Sequence, residues 1–288
     1  MSGRGLAALL ARASVEVSSR GPNLTDLAAH FPRGADVTIT DLPGDELAHN
    51  VEVAAALRKA GYNPVPHVSA REVVSRDALA DFLARARGEA GVTRLLVIAG
   101  DVARAKGPFD SSQKLLESGL VEQAGVTQVS IAGHPEGHPH VDEAAAMRAL
   151  GARQAWGARA GVSVDIVTQF CFEAQPLLDW LAALRRHGVS APVHVGLAGP
   201  ASPATLLKFA LRCGVGNSLR ALRSQIGRFG RLLSDADPGE VLRGLAEAPP
   251  GATAQIVGFH LFPFGGLHKS GLWLERMQDV EAMSAGHG

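Results

Sequence analysis

The sequence predicts a (β/α)₈ barrel of the TIM type. Short β-branched runs alternate with Ala/Leu/Arg-rich stretches long enough for helices, and the runs number eight. Alternation of this kind means parallel strands joined by crossover helices, and eight such units suit a chain of 288 residues. A doubly wound open sheet would need fewer strands and usually a glycine-rich phosphate turn, which is absent.

The strands are expected, in order, at Ser14 to Val17, Asp36 to Thr40, Val65 to Val68, Arg94 to Ile98, Thr127 to Ile131, Val164 to Thr168, Val193 to Leu197 and Gln255 to Phe259. Each is short and rich in Val, Ile or Thr, whose branched side chains pack well on a pleated surface. Helices are expected between them at Asp45 to Ala60, Ser75 to Ala90, Asp142 to Ala160, Gln175 to His187 and Pro203 to Cys213. The stretch from Gly214 to Pro250 is longer than one crossover helix needs, so extra helices are expected before the last strand. The Ala-Pro-Pro-Gly turn at Ala248 to Gly251 leads into that strand. Residues 1–288 read as one barrel domain.

Composition bounds the function. A hydrophobic content of 46% supports a large buried core. Basic and acidic residues balance at 28 each, which removes the electrostatic footprint of a nucleic-acid binder or of a protein attached to an anionic membrane. The expected partner is a small molecule, and the sequence leaves self-association into a homo-oligomer open. Cys171 and Cys213 lie in apolar contexts without metal-ligand spacing, so neither a disulfide framework nor a zinc site is expected, in keeping with a reducing, cytoplasmic setting. The N-terminal Ala-Ala-Leu-Leu-Ala stretch is too short, and too soon interrupted by Arg12, to span a membrane, and it lacks a signal-peptide cleavage pattern.

A barrel of this class places its active site at the carboxyl ends of the strands, so the polar residues closing each run are the candidates. Strand one carries Glu16, strand two ends at Thr40 and Asp41, His67 and Ser69 flank strand three, and strand four runs into Gly100-Asp101. A glutamate within an apolar strand suits a general acid; the alternative is an exposed residue on a frayed strand. Asp101 follows a glycine that lets a flat ligand approach the backbone, with a helix cap as its alternative. Strand five opens into His134-Pro135-Glu136-Gly137-His138-Pro139, a proline-bracketed loop suited to hydrogen bonding a phosphate, ribose or planar ring rather than to ligating a metal. The sixth run delivers Gln169, Phe170 and Phe172; the glutamine contacts either a ligand edge or the neighbouring loop backbone. Strand eight gives His260, then Phe262-Pro263-Phe264-Gly265-Gly266.

Taken together, these segments resemble the methylenetetrahydrofolate reductase family. The resemblance runs through Ser14-Val15-Glu16-Val17, Val37-Thr38-Ile39-Thr40, Pro66-His67-Val68-Ser69, Gly100-Asp101, His134 to Pro139, Thr168-Gln169-Phe170-Cys171-Phe172 and Phe259-His260-Leu261-Phe262. The most specific of these are the Thr-Gln-Phe and His-Pro-Glu-Gly-His-Pro motifs. The resemblance implies reduction of 5,10-methylenetetrahydrofolate to 5-methyltetrahydrofolate by NADH or NADPH, usually through bound FAD. It implies that Glu16 protonates the substrate and that Asp101 favours its cationic form. It implies that Gln169, Phe172, Asp101 and Phe262 contact folate, and that Thr40, His67, Gly100, His134, Glu136 and His138 hold the cofactor.

The sequence departs from the family pattern on the cofactor side. Ala99 replaces an arginine, His134 a tyrosine, and the lysine expected near Gln154 to Arg159 is missing, which leaves Arg104, Lys106 or Arg159 as substitutes. The "TLNR" segment after the last strand becomes Pro263 to Gly266. These departures keep three alternatives open: direct hydride transfer without flavin, a folate-dependent methyltransferase barrel, and a non-catalytic folate-binding barrel.

Overall fold

The computed structural model describes residues 3–40, 47–138, 141–213 and 238–286. Its strands are β1 (Ser14–Val17), β2 (Asp36–Ile39), β3 (Asn63–Ser69), β4 (Arg94–Ile98), β5 (Gln128–Gly133), β6 (Ser163–Thr168), β7 (Val193–Ala198) and β8 (Ile256–Phe262). They pair in parallel in chain order, and β8 returns to β1 with His260 opposite Ser14, closing the (β/α)₈ barrel.

The helices are α1 (Gly3–Leu10), α2 (Leu24–His30), α3 (Leu47–Lys59), α4 (Arg76–Ala90), α5 (Ser112–Leu116), α6 (Leu120–Gln123), α7 (Glu143–Ala160), α8 (Ala174–Arg186), α9 (Pro203–Arg212), α10 (Gly239–Ala246) and α11 (Leu267–Gly286). Several of the starts follow directly from side chains that accept the otherwise unpaired N–H groups of the first turn. Asn23 accepts from Thr25 and Asp26, Ser75 from Ala78, Asp142 from Ala145, and Ser202 from Thr205. Helices α1, α2, α5, α6 and α11 are not among those expected from the sequence. Helix α1 buries Leu6 and Leu10 against the barrel and packs on α11, and His30 ties α2 to α11 through Glu275 and His268. Of the extra helices expected before the last strand, α10 lies in that stretch, and residues 214–237 fall outside those described. Among the described residues no helix is long and apolar enough to cross a membrane.

Alternation along each strand sorts its side chains into two layers. Val15, Val17, Val37, Ile39, Leu95, Val97, Val129 and Ile131 face outward and join helix residues such as Leu27, Leu57, Leu83 and Leu181 in one continuous core. Each fully buried side chain of this size contributes about 1.5–3 kcal/mol. Inside the barrel, Val65, Leu96 and Val167 form a small apolar layer. Near the strand starts, Arg94 pairs with Asp36, and Asp165 accepts from Gln128 and lies 3.4 Å from His194. Toward the strand ends lie Glu16, His67 and His260. The apolar layer thus separates a polar floor from a polar mouth.

Strand β8 is longer than its expected end at Phe259. His260 was read as the polar residue that closes the strand, yet it is fully buried within it, with Nδ1 2.9 Å from Ser14 Oγ on β1. A histidine whose Nδ1 finds a cross-strand partner need not end a strand.

Candidate active site

Strands β1, β3 and β8 bring Glu16, His67 and His260 to one point at the mouth. Glu16 Oε2 lies 3.7 Å from His67 Nε2 and 4.0 Å from His260 Nε2. Both distances are too long for hydrogen bonds, and both Nε2 atoms are buried without a hydrogen-bond partner. Glu16 is part-exposed, at 18% of its side-chain surface. Burial pushes the His67 imidazole down to about 4; the Glu16 charge opposes that shift and His260 adds to it. His67 is therefore neutral at pH 7, and its approach to Glu16 is not an ion pair. His67 faces Glu16, and the Thr40 hydroxyl donates to the Val17 carbonyl at 3.3 Å.

Gln169 leaves β6 with its side-chain oxygen accepting from the Phe170 N–H at 3.1 Å, so the loop-backbone alternative describes one end of this amide. Its side chain also hydrogen-bonds the Cys213 thiol at the end of α9. Burial above all, then the charges of Asp101 and Glu16, push that thiol up to about 11, against the Gln169 bond. One sulfur thus senses Glu16 from β1, Asp101 from the loop after β4 and Gln169 from β6. Asp101 is exposed and starts no helix, since α5 begins beyond it and is capped by Ser111. Gly100 before it has φ +89°, and a Cβ there would sit 3.1 Å from Ser69 Cβ, so the turn that presents Asp101 suits glycine.

Aromatic rings wall the β6–β8 side. Phe170 stands edge-on to Phe172, Phe262 and Phe264, with centroids 5.7, 5.8 and 4.9 Å away, and Phe209 stacks on Phe264 at 4.1 Å. Phe172 is 5% exposed and packs inside this cluster, whereas Phe262 is only partly buried and meets His260 edge-on at 4.7 Å. Gly196 on β7 makes room for Phe262; a Cβ there would collide with the Thr168 carbonyl and come within 2.8 Å of the Phe262 ring. Sequence reading passed over this glycine, whose isolated place inside a β-run was its signal.

A cleft of about 680 Å³ opens beside the mouth, between the loops after β4 and β5 and helices α7 and α8. Gly100, His134, Glu136 and His138 all line it; Thr40 and His67 do not. Burial pushes His134 down to about 4, and the neighbouring His138 and Arg153 charges push the same way. The two histidine rings meet edge-on at 5.0 Å. The cations expected to replace the missing lysine do not line the cleft: Arg104 and Arg159 are exposed elsewhere, and Lys106 pairs with Glu72. Arg71, Arg153 and Arg186 line it instead. Arg153 was missed because its phase on α7 was not used. Ala146, Leu150 and Arg153 follow at helical spacing on the cleft face.

Comparison with known proteins now bears on this geometry. Residues 22–216 match the methylenetetrahydrofolate reductase family. The chain belongs to that family. The matched span holds β2 to β7 of the methylenetetrahydrofolate reductase barrel and so includes Thr40, His67, Gly100, Asp101, His134, Glu136, His138, Gln169 and Phe172. Glu16 and Phe262 lie outside it. Among solved structures, an uncharacterized protein from Clostridium thermocellum that binds two copies of 5-methyl-5,6,7,8-tetrahydrofolic acid is similar over 97% of this chain and 98% of its own, with TM-score 0.57 and 11% identity. At that identity the likeness is one of fold. A D-hydantoinase (TM-score 0.37, 14% identity, 59% of this chain and 40% of its own) is more distant. So is a dihydropyrimidinase from Brevibacillus agri (TM-score 0.35, 15% identity, 68% and 41%).

Proposed function

We propose that this chain reduces 5,10-methylenetetrahydrofolate to 5-methyltetrahydrofolate, with NADH or NADPH as the ultimate hydride donor. The observation that supports the reading is that Glu16, Asp101 and Gln169 all act on the one Cys213 thiol, because the reaction needs an acid, a negative charge and an amide around one pterin. Glu16 has no hydrogen bond to another described residue, so its carboxyl is free to turn toward a ligand. It protonates the substrate nitrogen that leaves the bridging carbon. That carbon–nitrogen bond breaks, the five-membered ring opens, and the carbon becomes an iminium that accepts hydride. Asp101 stabilises the positive charge, and hydride addition to the carbon completes the methyl group. Gln169, with its oxygen committed to the Phe170 N–H, offers its NH₂ group to an acceptor on the pterin edge. Phe262 supplies an apolar wall.

The cleft fits a dinucleotide cofactor: its volume lies in the usual range for ligand sites, and it combines apolar walls with buried polar groups. Gly100, His134, Glu136 and His138 would hold FAD there. When bound, FAD relays hydride from the nicotinamide donor to the folate.

The test is oxidation of NADH or NADPH with and without methylenetetrahydrofolate, after recording the visible spectrum. A yellow protein that NAD(P)H bleaches and folate recolours supports the flavin form. A colourless protein that oxidises NAD(P)H only when folate is present is the flavin-free form of the same reaction. No folate-dependent oxidation with FAD supplied removes the reductase reading and leaves a folate-dependent methyltransferase or a binding barrel.

A further inference from the structure

The loop that carries Asp101 is placed by hydrogen bonds more than by packing. From Asp101 to Asp110 only Phe109 is buried, and the segment forms neither helix nor strand. A loop this exposed keeps one shape only where other elements hold its backbone. The short turn after β3, Ala70–Glu72, does so largely through Arg71. The Arg71 N–H donates to the Ala99 carbonyl at 3.0 Å, just before Gly100 and Asp101. A terminal guanidinium nitrogen donates to the Val102 carbonyl, just after Asp101, at 3.5 Å. Arg71 Nε donates to the Asp110 carbonyl at 2.9 Å, and the Arg71 carbonyl accepts the Lys106 N–H at 2.8 Å. One residue thus ties the loop at its start, middle and end, and on either side of Asp101.

Neighbouring contacts close the same seam. Lys106 pairs with Glu72, next to Arg71. Gly107 lies against the Val73 and Val74 carbonyls, where a Cβ would come within 2.4 Å of either oxygen, so the loop sits as near the turn as a backbone can. Arg71 also lines the large cleft, yet its Nε and one terminal nitrogen are spent on loop carbonyls. The planar fork of a guanidinium can reach two carbonyls at a fixed separation, which an ammonium group cannot. Asp101 is exposed, so what its charge does to a neighbouring group depends on where the loop holds it, because Coulomb energy falls with distance.

We propose that Arg71 is the positioning residue for Asp101: by holding the backbone on both sides of it, Arg71 keeps that carboxylate at the barrel mouth, where its charge acts on the substrate cation. The assignment rests on the reductase reading for what Asp101 does, but not for where Asp101 sits. Its place has a reporter that needs no turnover. Burial pushes the Cys213 thiol up, and the Asp101 charge adds to that shift. A loop that drifts from the mouth takes the charge away from the sulfur.

The rate of Cys213 alkylation by iodoacetamide is measured at pH 8.5 in wild type, Arg71→Met, Asp101→Asn and the double variant, with peptide mass spectrometry to separate Cys213 from Cys171. Asp101→Asn should raise the rate about 2- to 10-fold, since a thiol shift of one pH unit is tenfold in thiolate. Arg71→Met should raise it by a similar factor in the wild-type background and leave it nearly unchanged in the Asp101→Asn background, because both substitutions act through one charge. Arg71→Lys reaches one carbonyl instead of two and should fall between wild type and Arg71→Met; it carries the test if the methionine variant does not fold. Equal rates in wild type and Arg71→Met overturn the assignment. So do effects of Arg71→Met and Asp101→Asn that multiply in the double variant, which is what looser packing around the thiol would give. Folate-dependent NAD(P)H oxidation by the same four proteins should show the same lack of additivity. If the alkylation rates are coupled and wild-type oxidation is absent, the placement of Asp101 stands and the reductase reading falls. If wild-type oxidation is present and the rates are uncoupled, Arg71 is misassigned and the reductase reading stands.

Discussion

Glu16→Gln separates chemistry from structure at the point where the mechanism depends on one proton. The nearest groups to the carboxylate, His67 Nε2 at 3.7 Å and His260 Nε2 at 4.0 Å, are beyond hydrogen-bond reach, and His67 is neutral at pH 7. Removing the charge therefore costs little folding stability, below about 1 kcal/mol, the range of weakly coupled pairs. Glutamine also keeps the shape of the side chain, so folate binding should survive. The loss falls on proton delivery, for which a positioned general acid commonly supplies about 10²–10⁴-fold. At 1.36 kcal/mol per decade this is roughly 3 to 5 kcal/mol of barrier. The assay compares folate-dependent NAD(P)H oxidation, equilibrium binding of 5-methyltetrahydrofolate and, if the protein is yellow, the rate at which NAD(P)H bleaches it. Oxidation should fall by the stated factor, with binding and bleaching near wild type. A variant that keeps more than a tenth of wild-type oxidation, or that loses bleaching in equal measure, refutes Glu16 as proton donor.

Other predictions follow from the geometry. Burial depresses His67 and His134 to about 4 in the folded state, so the unfolded chain binds more protons between there and the ordinary histidine value near 6.5. Stability is then full above that value and falls as pH drops through the window, by about 3 kcal/mol per histidine across its whole width. Urea unfolding at pH 7 and pH 5 should show the loss, and His134→Gln should reduce it; equal stability at both pH values would contradict the burial argument. Gly196→Ala should destabilise by about 1–3 kcal/mol through collision with the Thr168 carbonyl, read as a lowered urea midpoint, and an unchanged midpoint would show that β7 can shift. The Cys213 thiol, pushed up to about 11, should react with iodoacetamide at pH 7.5 about a hundredfold or more slower than in the urea-unfolded chain. Labelling followed by peptide mass spectrometry checks this, and folate should slow it further through Gln169.

The barrel was legible because β-branched runs and helical stretches alternate with little interruption, and each of the eight expected runs forms a strand. What escaped was decided by tertiary contacts. Helix α2 has only seven residues, too few for periodicity to register, and is started by the Asn23 side chain. Strand β8 continues past Phe259, where Ser14, distant in sequence, pairs with His260 Nδ1. At the site, the polar residue types were readable at the strand ends, but their grouping was not. His67 lies against Glu16 because the inward positions of β1 and β3 meet across the barrel mouth, a meeting that neither short segment shows by itself. Arg153 stayed hidden because a cation was sought at one segment of the helix rather than on one face of it.

The central claim is that this barrel passes hydride to a folate-bound one-carbon unit. Its most direct measurement is the stoichiometry between NAD(P)H consumed and 5-methyltetrahydrofolate formed from 5,10-methylenetetrahydrofolate, by chromatography under anaerobic conditions with FAD supplied. One mole of product per mole of NAD(P)H is the predicted result. Persistence of the methylene substrate while NAD(P)H remains unoxidised, with both NADH and NADPH, would contradict it.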